Sequence, residues 1–128
     1  MARDLIFGND EVRFLRELVR RKVDFMIVGL SAAALQGAPV VTQDVDLWFR
    51  NLGDSRIRKA LDAVGGIYVP PTASTPPMFA GDAVNLFDIV VHMHGLESFG
   101  REAKRAAIVS VGRVKVKALP LERIIESK

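Results

Sequence analysis

The sequence predicts an α/β domain with a mixed sheet of four to five strands flanked by helices. Two observations predict it. Amphipathic stretches of helical period alternate with short apolar runs of strand length, and the alternation persists along the whole chain. No internal repeat or second-domain boundary interrupts it, so residues 1–128 read as one domain, long enough to bury a sizeable core.

The elements follow in order. Asn9 or Asp10 can cap a first helix running through Lys22, with Val12, Leu15, Leu18 and Val19 on its apolar stripe. Asp24 to Gly29 reads as a buried strand, and Gly29 to Gly37 as a short helix of small residues that Pro39 ends. Asp44 to Arg50 is a second strand. Asp54 or Ser55 caps a helix carrying Ile57, Leu61 and Val64, closed by Gly65-Gly66. Ile67 to Val69 is a brief third strand. Residues 70–82, rich in Pro, Thr, Ser and Gly, form a loop too long for a plain connection, either a disordered surface loop or a flap over a site. Val84 to Met93 is a strongly apolar strand, and Glu97 to Ala107 a basic helix. Ile108 to Val111 and Val114 to Ala118 make a hairpin about Gly112-Arg113, with Lys115 and Lys117 wet and Val114 and Val116 inward. Pro120 opens a last helix with apolar positions Leu121, Ile124 and Ile125.

Composition excludes several classes. Hydrophobic residues at 49% and charged residues at 26% are those of a globular protein. With no cysteine, neither a disulfide framework nor a thiolate metal site can form. No run reaches the ~20 apolar residues of a membrane span, which points to a soluble, cytoplasmic protein. The net charge of +3 favours polyanionic partners. Its cations cluster at Arg13 to Lys22, Arg56 to Lys59 and Arg101 to Arg105. Each cluster reads as the solvated face of a helix or as a funnel for a nucleotide or RNA acceptor. Aromatic residues do not interleave with them as a stacking platform requires.

The chemistry concentrates in Asp44-Val45-Asp46. On a strand, residues two apart point the same way and lie ~6.6 Å apart, so both carboxylates can share divalent cations. Upstream, the start of the Gly29 helix offers free backbone N–H groups and the Ser31 hydroxyl to a phosphate. Thr42 either supports the turn into the Asp strand or contacts phosphate. Asp88 interrupts Leu86-Phe87 and Ile89-Val90-Val91, where an unpaired buried carboxylate would cost several kcal/mol. Its partner is an arginine, a backbone turn, or a metal shared with Asp44 and Asp46. Three carboxylates about two divalent ions suit in-line phosphoryl transfer. His92 and His94 read as strand-end histidines, Trp48 and Phe49 as core, with one of them facing the Asp side and available to a base.

The run Ile27 to Pro39, followed by Thr42-Gln43-Asp44-Val45-Asp46-Leu47, resembles the DNA polymerase beta-like nucleotidyltransferase superfamily. Within it the chain is most similar to small prokaryotic AbiE-type (abortive infection) and minimal nucleotidyltransferase proteins. Matched residue by residue, the phosphate motif falls on Gly29 and Ser31, the Asp-x-Asp pair on Asp44 and Asp46, and the third carboxylate on Asp88. The likeness covers about residues 10–128 and ends in a segment, Leu121 to Lys128, that closes on lysine. The chain departs from the pattern at Leu30, where many relatives have a small residue, at Gln36, where many have histidine, and at Val40, where many have arginine. Many relatives also continue past the terminal lysine, so the chain is a minimal form or a piece of a longer one.

The resemblance implies the nucleotidyltransferase fold and transfer of a nucleoside monophosphate from an NTP to a protein or RNA hydroxyl. The metal would be magnesium, or manganese in its place, on Asp44, Asp46 and Asp88. A toxin–antitoxin or phage-defence setting, with a toxin or antitoxin partner, goes with it. The alternative is a weakly active binding module of the same fold acting through a protein partner. A third reading is a non-catalytic basic domain for RNA.

Overall fold

A computed structural model describes residues 7–91, 93 and 95–126. His92, His94 and Lys128, singled out in the sequence, lie outside the described residues.

The first helix, α1 (Asn9–Arg20), is preceded by Gly8, whose N–H is taken by the Glu11 carboxylate. Of the stripe read from the sequence, Leu15 and Leu18 are buried as expected, and Phe14 joins them in place of Val12 and Val19. Val12 is half-buried and Val19 is 40% exposed, because Phe14 rather than Val12 turns the helix toward the aromatic core. Glu17 is also buried, held by Arg20 and Arg21.

The next elements are β1 (Phe25–Val28), α2 (Gly29–Leu35), β2 (Val45–Phe49) and α3 (Ser55–Ala63), the last capped by Asp54, which accepts the Arg56 N–H. Then come β3 (Ile67–Val69), β4 (Met78–Ala80), β5 (Phe87–Val90), α4 (Phe99–Ala103), β6 (Ala107–Val111), β7 (Val114–Ala118) and α5 (Leu121–Glu126). Five strands form a mixed sheet in the order β5-β2-β1-β7-β6. β1 runs antiparallel to β2 and parallel to β7, while β2 runs parallel to β5. β1, central in the sheet, is buried at all four positions, as a strand covered on both faces must be.

Four further expectations change. The strand read over Val84 to Met93 is confined to β5, because residues 82–86 form a turn. The loop at 70–82 contains β4, which pairs with β3 in a separate hairpin. Phe79 drives it: the ring is buried, edge-on to Phe14 at 5.6 Å and to Phe49 at 6.0 Å. Such contacts outweigh the local preference of a Pro-rich segment for irregular backbone. The basic helix shrinks to α4, because Ala107 is taken into β6 opposite Ala118. Of the three apolar positions read on α5, Ile124 is buried, while Leu121 is 40% and Ile125 73% exposed. The hairpin β6–β7 forms as read, with Val114 and Val116 buried and Lys115 and Lys117 exposed.

α1 covers one face of the sheet. Phe14 meets Phe87 of β5 at 5.4 Å. Asp88 is the next residue, so it points to the opposite face. The same alternation puts Asp46, opposite Asp88 in the register, on that second face.

Candidate active site

The site begins where β1 becomes α2. Val28 ends the strand, and Gly29 turns the chain with a left-handed φ of +67°. Asp46 pairs with Val28 across β1–β2, and its Oδ2 lies against Gly29, in the space a Cβ would fill. Gly29 is therefore fixed twice over, by backbone conformation and by the carboxylate that approaches it.

Ser31 does not present its hydroxyl to an outside phosphate, as the sequence suggested. It is fully buried; Oγ donates to the Val28 carbonyl at 2.8 Å and accepts the Asp46 N–H at 3.1 Å. The helix is too short and tightly packed to turn Ser31 outward, since Ala32, Ala33 and Ala34 are buried as well. Ser31 instead pins β2 to the β1–α2 turn and so sets where Asp46 stands. Thr42 acts similarly on Asp44: its hydroxyl donates to the Asp44 carbonyl at 3.1 Å and accepts the Asp44 N–H at 3.4 Å. Gln36, the residue where relatives carry histidine, donates to the carbonyls of Ala32 and Leu119, at 3.0 and 2.7 Å. It ties α2 to the end of β7.

The carboxylates are arranged differently from the sequence expectation. Asp44 is exposed and precedes β2, whose pairing starts with the Val45 N–H on the Leu86 carbonyl at 2.8 Å. Asp46 is half-buried within the strand. Asp88 is exposed, not buried, so the argument from its burial cost does not apply. Its apolar neighbours misled because β5 is an edge strand: Phe87 enters the core while Asp88 faces out. What brings Asp88 to the site is register. It stands directly beside Asp46 on the neighbouring parallel strand, about 4.8 Å away by strand spacing.

The electrostatics follow. Burial pushes the Asp46 carboxyl above the ordinary carboxylate range, and the charges of Asp88 and Asp44 push it further. Asp88 is also raised, by partial desolvation of its carboxyl first and by Asp44 second. Among the described residues no lysine or arginine forms an ion pair with any of the three. An all-oxygen, uncompensated anionic set is the donor chemistry of a hard divalent cation such as magnesium. The spacing is open, however: among the described residues no three carboxylates or imidazoles stand close enough together to hold a metal ion.

Trp48 lies on the Asp46 side of β2, but its ring is buried edge-on against Phe99 at 5.2 Å, and Phe49 packs in the opposite core. Neither is free to stack on a base. Sequence reasoning missed the pair that holds α4 and α5 together. Glu102, fully buried, accepts from Arg123 Nε at 2.9 Å and Nη2 at 2.6 Å, and from the Glu97 N–H at 2.8 Å. The sequence offers only a glutamate beside Arg101 in a short basic stretch, with nothing local that points to Arg123.

Among the described residues no helix is long and apolar enough to cross a membrane. No family model matches the chain, and no curated protein matches it. By fold it is similar to TM1012 of Thermotoga maritima, a proposed nucleotidyltransferase, with a TM-score of 0.60 and 19% identity over 94% of this chain and 84% of that one. It is also similar to ANT(2")-Ia in complex with adenylyl-2"-tobramycin, with a TM-score of 0.56 and 16% identity over 88% of this chain and 68% of that one. The solution structure of the same antibiotic-resistance factor gives 0.57 and 16%, over 88% and 64%. These likenesses, with the five-stranded mixed sheet and its flanking helices, assign the chain the nucleotidyltransferase fold.

Proposed function

We propose that the chain is a metal-dependent nucleotidyltransferase that moves a nucleoside monophosphate from an NTP to a hydroxyl on a protein or an RNA end. One observation carries this reading: Asp46 and Asp88 stand in register on adjacent strands with Asp44 at their head, and no cationic side chain among the described residues neutralises them. In the reaction the acceptor oxygen bonds to the α-phosphorus, the bond to pyrophosphate breaks, and the acceptor proton leaves to a base. Asp88, exposed and with a raised pKa, is the base we assign. Asp44, Asp46 and Asp88 would have to draw closer together to hold magnesium or manganese, which would supply the positive charge that balances the triphosphate. Gly29 leaves room for the Asp46 carboxylate, and Ser31 and Thr42 hold the backbones of Asp46 and Asp44. The toxin–antitoxin or phage-defence setting rests on the AbiE-type resemblance of residues 27–47.

A second reading is favoured by two observations: the carboxylates are not gathered into a closed metal cluster, and Gln36 and Ser31 spend their polar groups internally. On that reading the chain is a weakly active module of this fold that works through a protein partner. Incubation with each radiolabelled NTP, Mg²⁺ and cell extract tests both. Transfer of label to a macromolecule, lost in Asp44→Asn and Asp88→Asn, supports the enzyme. NTP affinity and labelling unchanged in both variants would sink it.

A further inference from the structure

β6 is an edge of the sheet, and only its β7 side is paired. The hairpin turns through Gly112, at φ +61°, and Arg113, so Val111 and Val114 flank a two-residue loop as a hydrogen-bonded pair. Bonding alternates from there along the ladder. Val109 and Ala107 bond to β7, while the N–H and C=O groups of Ile108 and Ser110 point away from it. None of these outward groups has a hydrogen-bond partner among the described residues. Both side chains are exposed, Ile108 at 61%. The other edge is guarded, since β5 is only four residues long and carries Asp88. Within β6 itself, Ala107-Ile108-Val109-Ser110-Val111, there is neither a charge nor a proline.

Cations frame this open main chain. From Ala103 to Leu121 the chain has no acidic residue, and Lys104, Arg105, Arg113, Lys115 and Lys117 are all exposed. Among the described residues only Arg105 of that set forms an ion pair, with Glu97 at 2.9 Å. Two acids lie nearby on other elements. Asp24, which shares a cleft with Ile108, is paired with Arg50, and Asp10 shares the cleft at Ser110 with Arg13 and Arg16. The balance around the edge stays positive.

We propose that β6 takes up an extended, acid-flanked segment of a protein partner as an added strand of the sheet. Only an extended chain offers N–H and C=O groups at the spacing that Ile108 and Ser110 present. A helix has spent its own, and nucleic acid would answer the cations while leaving these main-chain groups unmet. Charge opposes a second copy. Antiparallel pairing of β6 with itself about Val109 would set Ile108 against Ser110, but also Arg105 against Arg113 of the second copy. Like charges directly opposite are destabilising. The basic frame therefore blocks self-pairing, as edge lysines do in other sheets, and still admits a strand with acids at its ends. β6 and the strand of Asp88 are opposite edges, so the inference does not depend on the reaction proposed above.

The test uses a fluorescein-labelled peptide of about eleven residues, valine and threonine in the middle and glutamate at both ends. Fluorescence anisotropy should show saturable binding. Proline at the two positions facing Ile108 and Ser110 keeps the peptide's charge but removes its main-chain donors, and should weaken binding about tenfold or more. Arg113→Glu with Lys115→Glu should weaken it by a similar factor. Both side chains are exposed and without an ion pair among the described residues, so circular dichroism and Tm should be unchanged in that variant. Hydrogen exchange read by NMR should show the Ile108 and Ser110 amides fast in the free protein and protected by the peptide, with Val109 protected in both states. Equal binding of the proline peptide, or exchange at Ile108 and Ser110 that the peptide leaves unchanged, would overturn the proposal. So would tighter binding of single-stranded RNA at the same edge, or a peptide-free dimer that protects both amides.

Discussion

Replacing Gly29 by alanine tests how the site is built, because two separable effects act at that one carbon. The φ of +67° is open to glycine but costs an L-residue about 1–2 kcal/mol. The new Cβ also meets Asp46 Oδ2, so the carboxylate must leave its rotamer or the strand must shift, at about 1 kcal/mol. Reduced freedom of the unfolded chain returns ~0.4–1 kcal/mol. The net loss is about 2 kcal/mol. For a chain of 128 residues that lowers Tm by roughly 8 °C. Thermal unfolding by circular dichroism measures it, and repetition in an Asp46→Ala background separates the causes. There the steric part disappears and only the backbone part remains, leaving a coupling of ~1 kcal/mol between the two positions. Equal losses in both backgrounds would show that the carboxylate does not press on Gly29. A loss near zero in the wild-type background would refute the left-handed turn as well.

Three further outcomes are expected. Ser31→Ala removes the acceptor of the Asp46 N–H and should destabilise by about 1–3 kcal/mol in urea unfolding; no change would mean that the hydroxyl is not a clamp. Glu102→Gln breaks a buried ion pair and should cost about 3 kcal/mol. Arg123 lowers the Glu102 pKa below 4.5, so the pair's contribution is present above that value and fades as pH falls through the lower folded pKa. The variant should lose that acid limb; identical acid unfolding would count against the pair. Asp46 has the opposite sign. Its raised pKa means that folding disfavours the ionised form, a penalty absent below 3.8 and complete above the folded pKa. Asp46→Asn should therefore be more stable than wild type at pH 7 and indistinguishable from it near pH 3, which urea titrations at the two pH values decide.

Much of the fold was legible because period and punctuation agreed: β1, β3, the hairpin about Gly112-Arg113 and the Asp54 cap all carry local signals. What the sequence hid depends on distant partners. β4 exists because Phe79 finds Phe14 and Phe49, neither of them near it in sequence. The buried row of α1 is set by the same rings, which leaves Val19 outside. At the site, the residue types of the acidic set were readable, but not their placement. Asp88 looked buried because its apolar neighbours serve two faces of an edge strand, a distinction that period alone does not make. Ser31 looked like a ligand because a hydroxyl near a helix start is equally suited to a phosphate or to its own backbone.

The distribution of charge separates a functional acidic site from an incidental one. Repulsion among Asp44, Asp46 and Asp88 works against folding, and a nearby lysine or arginine would relieve it at little cost. The chain has cations to spare, with a net charge of +3. Arg13 and Arg16 on α1, with Lys22 just beyond it, stand exposed and without an ion pair among the described residues, while α1 covers the sheet face opposite the carboxylates. Neither cluster neutralises the other. A fold selected only for stability would have brought them together. Kept apart from these cations, the acidic face stays uncompensated and suited to a divalent cation.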